Sequence, residues 1–232
     1  MLLLAATLRR FLPRVSTTER MRYRSLLASV VRLVAEEPVL RQRMILGGLA
    51  FGCFSVLWTS LAFLLSGPPF HFGNTTIGLF GLAGVAGASV APVAGKLADR
   101  GRGRMAATGA LTIMLAGWGL LALGRDQVPL LLAGIVVMDL GAQGIHISNQ
   151  STIYALRPEA RSRLTTAYMV AYFLGGAVLS AVTSAIYSSG GWSAVCLLGA
   201  ATAGLALLVW LLSDAFLRRG TVIGRPTVGQ EH

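Results

Sequence analysis

Apolar residues in this chain gather into long uninterrupted runs, with neither the alternation of a strand nor the one-sided stripe of a soluble helix. Six runs come near or above the roughly 20 residues a helix needs to cross a hydrocarbon core. They cover about 44–65, 75–95, 105–123, 128–149, 165–186 and 192–212, and the first stops at Gly67-Pro68-Pro69. Within them, Asp139 and His146 are the only ionisable groups other than cysteine and tyrosine. Backbone polar groups in hydrocarbon must be satisfied inside their own segment, so each run predicts a helix. Short connections between most of them predict antiparallel neighbours. The expected fold is an all-α membrane protein with six transmembrane helices over residues 44–216.

The flanks read differently. Residues 1–8 are an apolar stub and 9–43 a basic segment; 217–232 form a polar tail. Arg9 and Arg10 follow the stub instead of preceding it, which does not fit a signal peptide. From Glu19 to Ala35, Met21, Leu26, Leu27, Val30, Val31 and Val34 have the spacing of an amphipathic helix on the membrane surface, with a solvated linker as the other reading. In the second run Gly78, Gly81, Gly84 and Gly87 recur every three residues. That pattern weakens a helix in water but permits close helix contact in lipid.

Composition agrees with a lipid solvent. Of 232 residues, 54% are hydrophobic and 12% charged, against about 25% charged in soluble domains. A net charge of +11 would suggest nucleic acid, but its placement argues otherwise. Nineteen of the twenty Lys and Arg residues lie on alternate connections and on the two ends, leaving Arg125 on the other side. The positive-inside rule then puts both termini in the cytoplasm of a multi-pass inner-membrane protein. Cys53 and Cys196 sit in apolar runs without metal-ligand spacing and read as small hydrophobes. No phosphate-binding loop or nucleophile elbow occurs, so neither an enzyme nor a cofactor is expected.

The connection after the second run reads Gly95-Lys96-Leu97-Ala98-Asp99-Arg100-Gly101-Arg102-Gly103-Arg104. It resembles the signature loop of the major facilitator superfamily, matching at Gly95, Asp99 and Arg100. The end departs, because Arg102-Gly103-Arg104 displaces the expected glycine by one position. The stretches Asp139–Gly144 and Pro158–Arg163 look like those of bacterial drug/proton-antiporter-like members. The resemblance implies the C-terminal six-helix half of a twelve-helix fold, with residues 1–8 similar to the end of a preceding helix. It also implies a cavity between two rocking halves, a gate at Gly95, Asp99, Arg100 and Arg104, and a partner, either a second six-helix half or another copy. A short basic loop that merely sets topology is the plainer reading of the same residues.

Chemistry concentrates at Asp139. A charge at mid-bilayer costs about 2.5–3.5 kcal/mol, and protonation relieves it. Asp139, Gln143, His146 and Gln150 follow at i, i+4, i+7 and i+11, one face of a helix. Tyr168 and Tyr172 offer a polar face at matching depth, and Trp58 could stack on a flat substrate. Structural hydrogen bonds and packing are the competing roles for all of these. The expectation is proton-coupled secondary transport of a small amphipathic molecule by half of a transporter, against a non-transporting fragment or accessory membrane protein. A channel lacks support, since no filter or ring of charge appears.

Overall fold

A computed structural model describes residues 23–88 and 103–223. The order is α1 (Tyr23–Glu36), α2 (Pro38–Ser66), α3 (Asn74–Ala88), α4 (Gly103–Leu123), α5 (Val128–Leu156), a 3₁₀ turn (Pro158–Ala160) and α6 (Arg161–Ile223). Punctuation in the sequence sets several of these ends. Proline stands in the first turn of α2 and of α5, where a missing N–H costs nothing. At its far end α2 closes with the Gly67 N–H on the Phe63 carbonyl, and Pro68-Pro69 follow. Arg157 is extended at φ −144°, ψ 96°, as a residue before proline prefers.

The expectation of six transmembrane helices is corrected. Among the described residues four helical stretches are long and apolar enough to cross a membrane: Pro38–Ser66, Gly103–Leu123, Val128–Leu156 and Pro158–Ser213. The second run is described only as the 15-residue α3. The fifth and sixth runs fall in one 63-residue element whose single non-helical residue is Gly191, at φ 61° and ψ −156°. No polar loop was needed between them, because glycine alone tolerates that backbone. The chain reverses there: Tyr168 and Trp210, on opposite arms of α6, both lie within reach of the Arg43 site.

Small residues set the closest contacts. A Cβ built on Gly175 would run into the Gly48 carbonyl, and one on Gly141 would lie 2.5 Å from the Met114 nitrogen. The glycine ladder of the second run is corrected in part. Gly78 and Gly81 face open space, whereas Gly84 is tightly enclosed. Between helices the core is aliphatic, with Leu46, Leu57, Leu111, Met114, Leu131 and Ile135 fully buried. Cys53 and Cys196 are buried and free.

One end of the bundle is stitched by polar groups. Arg157 Nε donates to Glu37 Oε1 at 2.7 Å, Gln42 to Ser213 at 2.6 Å, and the Trp210 indole to Thr108 at 2.8 Å. Here α1 lies against the bundle, its Leu33 packed with Leu40, Ile153, Ala160 and Leu164. Arg41 Nη1 donates to the Val34 and Ala35 carbonyls at 2.9 and 2.6 Å, capping the C-terminus of α1 as a basic side chain can. At the opposite end the Trp192 indole donates to the Leu121 carbonyl at 2.9 Å.

Candidate functional site

Asp139 sits in the middle of α5 and is only 3% exposed. A Cβ at Gly84 would lie 2.7 Å from its Oδ2 and 2.9 Å from Trp58 Cζ2. Glycine at 84 is therefore what lets α3 close over the meeting point of the carboxyl and the indole. Asp139 Oδ1 and Trp58 Nε1 are both buried, and neither has a hydrogen bond of normal geometry among the described residues, although the indole approaches the carboxyl. Buried polar atoms are usually satisfied, so two orphans side by side mark an unusual place.

Two turns further along α5, about 10 Å away by helical rise, a second polar group is linked by hydrogen bonds. His146 Nδ1 and Tyr168 Oη are hydrogen-bonded at 3.0 Å. Asn149 Nδ2 donates to Tyr168 Oη at 3.5 Å, and Arg43 Nη1 donates to Asn149 Oδ1 at 3.2 Å. The Arg43 guanidinium lies 4.6 Å over the Trp210 ring, a favourable cation–π placement. Gly47 makes room for this packing, since a Cβ there would lie 2.5 Å from Tyr168 Cε2.

An aromatic wall joins the two groups. On α2, Phe51, Phe54 and Trp58 are spaced as one helix face, with ring centroids 5.6 and 6.0 Å apart along the series. Phe51 stacks on Tyr172 at 4.2 Å, and Tyr172 lies 4.7 Å from His146. All five of these rings are half-buried.

Of the residues singled out from sequence, Asp139 and Trp58 meet in one place, and His146, Tyr168 and Tyr172 in another. Gln143 and Gln150 are half-buried on α5 and make no hydrogen bond among the described residues. Asp139 and His146 do not touch. Gly95, Asp99 and Arg100 fall outside the described residues; Arg104 is exposed in the first turn of α4. Sequence reasoning missed Arg43 and Asn149. In sequence Arg43 is one charge among several in the basic segment, and Asn149 closes the fourth apolar run. Since α5 runs on to Leu156, Asn149 stays one turn beyond His146, and the stop signal of Pro158 could have revealed it. Among the described residues no cluster of metal-ligating side chains occurs.

A family model described as Major Facilitator Superfamily matches residues 3–228. The chain belongs to the Major Facilitator Superfamily. It is a transporter-family protein and not an enzyme. The match runs through the residues read as a stub and a linker. With four spanning stretches described, it replaces the expected resemblance to a six-helix C-terminal half. Among superfamily relatives, the putative uncharacterized transporter YgaY of Escherichia coli K12 is 46% identical over 210 residues, covering 90% of this chain and 53% of that protein. The probable transporter SCO4007 of Streptomyces coelicolor is 34% identical over 171 residues, covering 73% of this chain and 40% of that protein. The chain thus spans about half the length of these curated relatives.

Proposed function

We propose that this superfamily member takes part in proton-coupled transport of a small amphipathic molecule, with Asp139 as the proton-carrying group. The observation that carries this reading is the Asp139 carboxyl, 3% exposed in a spanning helix, with one oxygen that makes no hydrogen bond of normal geometry among the described residues. An ionised carboxylate there lacks both water and a full set of donors, while the neutral acid fits. Its charge state therefore depends on whether the face around it is open to water. Phe51, Phe54, Trp58 and Tyr172 provide a flat, half-buried wall beside it for the apolar part of a substrate.

Alternating access needs an opposing wall. The proposal includes a second membrane-embedded body, another copy or a separate segment, facing this one. The arginine-rich end of the bundle lies on the cytoplasmic side with both chain termini, following the positive-inside rule.

The test uses inverted membrane vesicles containing the chain, acidified inside by respiration, and a panel of amphipathic amines and acids. A transported compound releases protons in wild-type vesicles and not in Asp139→Asn vesicles. Equal release in both would remove Asp139 from coupling. Robust flux from a strictly monomeric chain would remove the second body.

A further inference from the structure

A groove of about 630 Å³ runs between α2 and both arms of α6, and shares no residue with the Asp139 or His146 sites. Its floor is the crossing of Gly48 and Gly175, where the absence of side chains leaves a channel. Ile45, Leu174, Val178 and Leu205 line it and are all exposed. From Arg41 to Leu49 the groove extends about 12 Å along α2 by helical rise. Among the described lining residues Arg41 is the one that carries a charge.

The placement of that arginine is fixed. Arg41 stands in the first turns of a spanning helix, at the depth where apolar sequence begins. Its Nη1 is held by the Val34 and Ala35 carbonyls, and the guanidinium makes no ion pair among the described residues. On α1, Leu27, Val31 and Ala35 recur every four residues, so they share one flank. Leu27 is 49% and Val31 69% exposed. That flank ends at the carbonyls Arg41 holds, so an apolar strip leads along α1 to a cation and then into an apolar groove.

We propose that this groove seats an acyl chain of a phospholipid whose phosphate binds Arg41. A guanidinium tethered through Nη1 to the end of α1, with no carboxylate paired to it among the described residues, matches an anionic head on an apolar tail at the head of a hydrocarbon-facing groove. Among the described lining residues the groove offers one cation and otherwise apolar and small side chains, the pattern of a single anionic head followed by hydrocarbon. The site is independent of proton coupling, and its failure would leave Asp139 untouched.

Native mass spectrometry of the detergent-purified chain, titrated with phosphatidylglycerol, tests this. The wild type binds one lipid tightly. Arg41→Gln weakens that adduct roughly tenfold, the scale of a lost hydrogen bond to a charged group, while Arg41→Lys keeps most of it. Val178→Trp fills the groove and weakens the adduct at least as much. The Glu36→Gln/Glu37→Gln double variant loosens α1 from Arg157 without touching the groove and keeps the wild-type affinity, which separates lipid binding from the docking of α1 on the bundle. Diacylglycerol binds the wild type weakly and is indifferent to Arg41→Gln. Equal phosphatidylglycerol binding by wild type, Arg41→Gln and Val178→Trp would overturn the proposal. So would displacement of the adduct by inorganic phosphate, or a chain dimer that Val178→Trp abolishes and the lipid does not disturb.

Discussion

Two polar sites share α5, two turns apart, and they are built in opposite ways. Around His146 the side chains answer one another in a hydrogen-bonded series, Tyr168 to His146, Asn149 to Tyr168 and Arg43 Nη1 to Asn149, with Arg43 Nε buried outside that series. Around Asp139 a carboxyl oxygen and an indole N–H lie buried close together, and neither makes a hydrogen bond of normal geometry among the described residues. A linked hydrogen-bond network in a low-dielectric interior resists change, since removing one member strands the others. An unsatisfied carboxyl has little to lose by changing its charge. In the proposed mechanism, therefore, the His146 network is the fixed frame and Asp139 the moving part.

The contrast can be broken by substitution. The largest effect is expected at Asp139, where Asp139→Asn reduces gradient-driven flux to background in vesicles and leaves thermal stability within about 1 kcal/mol, because no native hydrogen bond of normal geometry is lost. Gly84→Val comes next. Its Cβ would meet the Asp139 carboxyl and the Trp58 ring, so it costs about 1–3 kcal/mol as an overpacked site, read by thermal unfolding in detergent, and lowers flux as well. Tyr168→Phe removes the hydroxyl shared by His146 and Asn149 and costs about 1–3 kcal/mol for the buried groups left unpaired, with coupled flux retained. Gln150→Ala is the smallest, within about 0.5 kcal/mol, because Gln150 makes no hydrogen bond among the described residues. A Tyr168→Phe variant that folded normally but lost coupling would reverse the assignment of frame and moving part.

Much of this molecule is legible in its sequence because lipid imposes simple rules. Long apolar runs, proline at helix starts and the double proline after Gly67 mark where α2, α4 and α5 lie. The continuity of α6 is not legible, because Ser188-Ser189-Gly190-Gly191 read as a loop, whereas Gly191 alone leaves the helical conformation. The second run misled for a related reason: its evenly spaced glycines look equivalent, yet Gly84 is enclosed while Gly78 and Gly81 face open space. Asp139 was legible as a lone intramembrane acid. Its pairing with Trp58 was not, since the two are far apart in sequence and meet only where Gly84 allows. Arg43 was hidden by company, one arginine among many in a basic stretch, although burial and the Trp210 face set it apart.

The most direct test compares two transport modes for one compound in the same vesicles, with wild type and Asp139→Asn side by side. Accumulation driven by a pH gradient requires a carboxyl that changes charge; exchange of labelled for unlabelled compound at equilibrium does not. The account predicts that Asp139→Asn loses gradient-driven accumulation and keeps exchange. Retained accumulation in Asp139→Asn would contradict it.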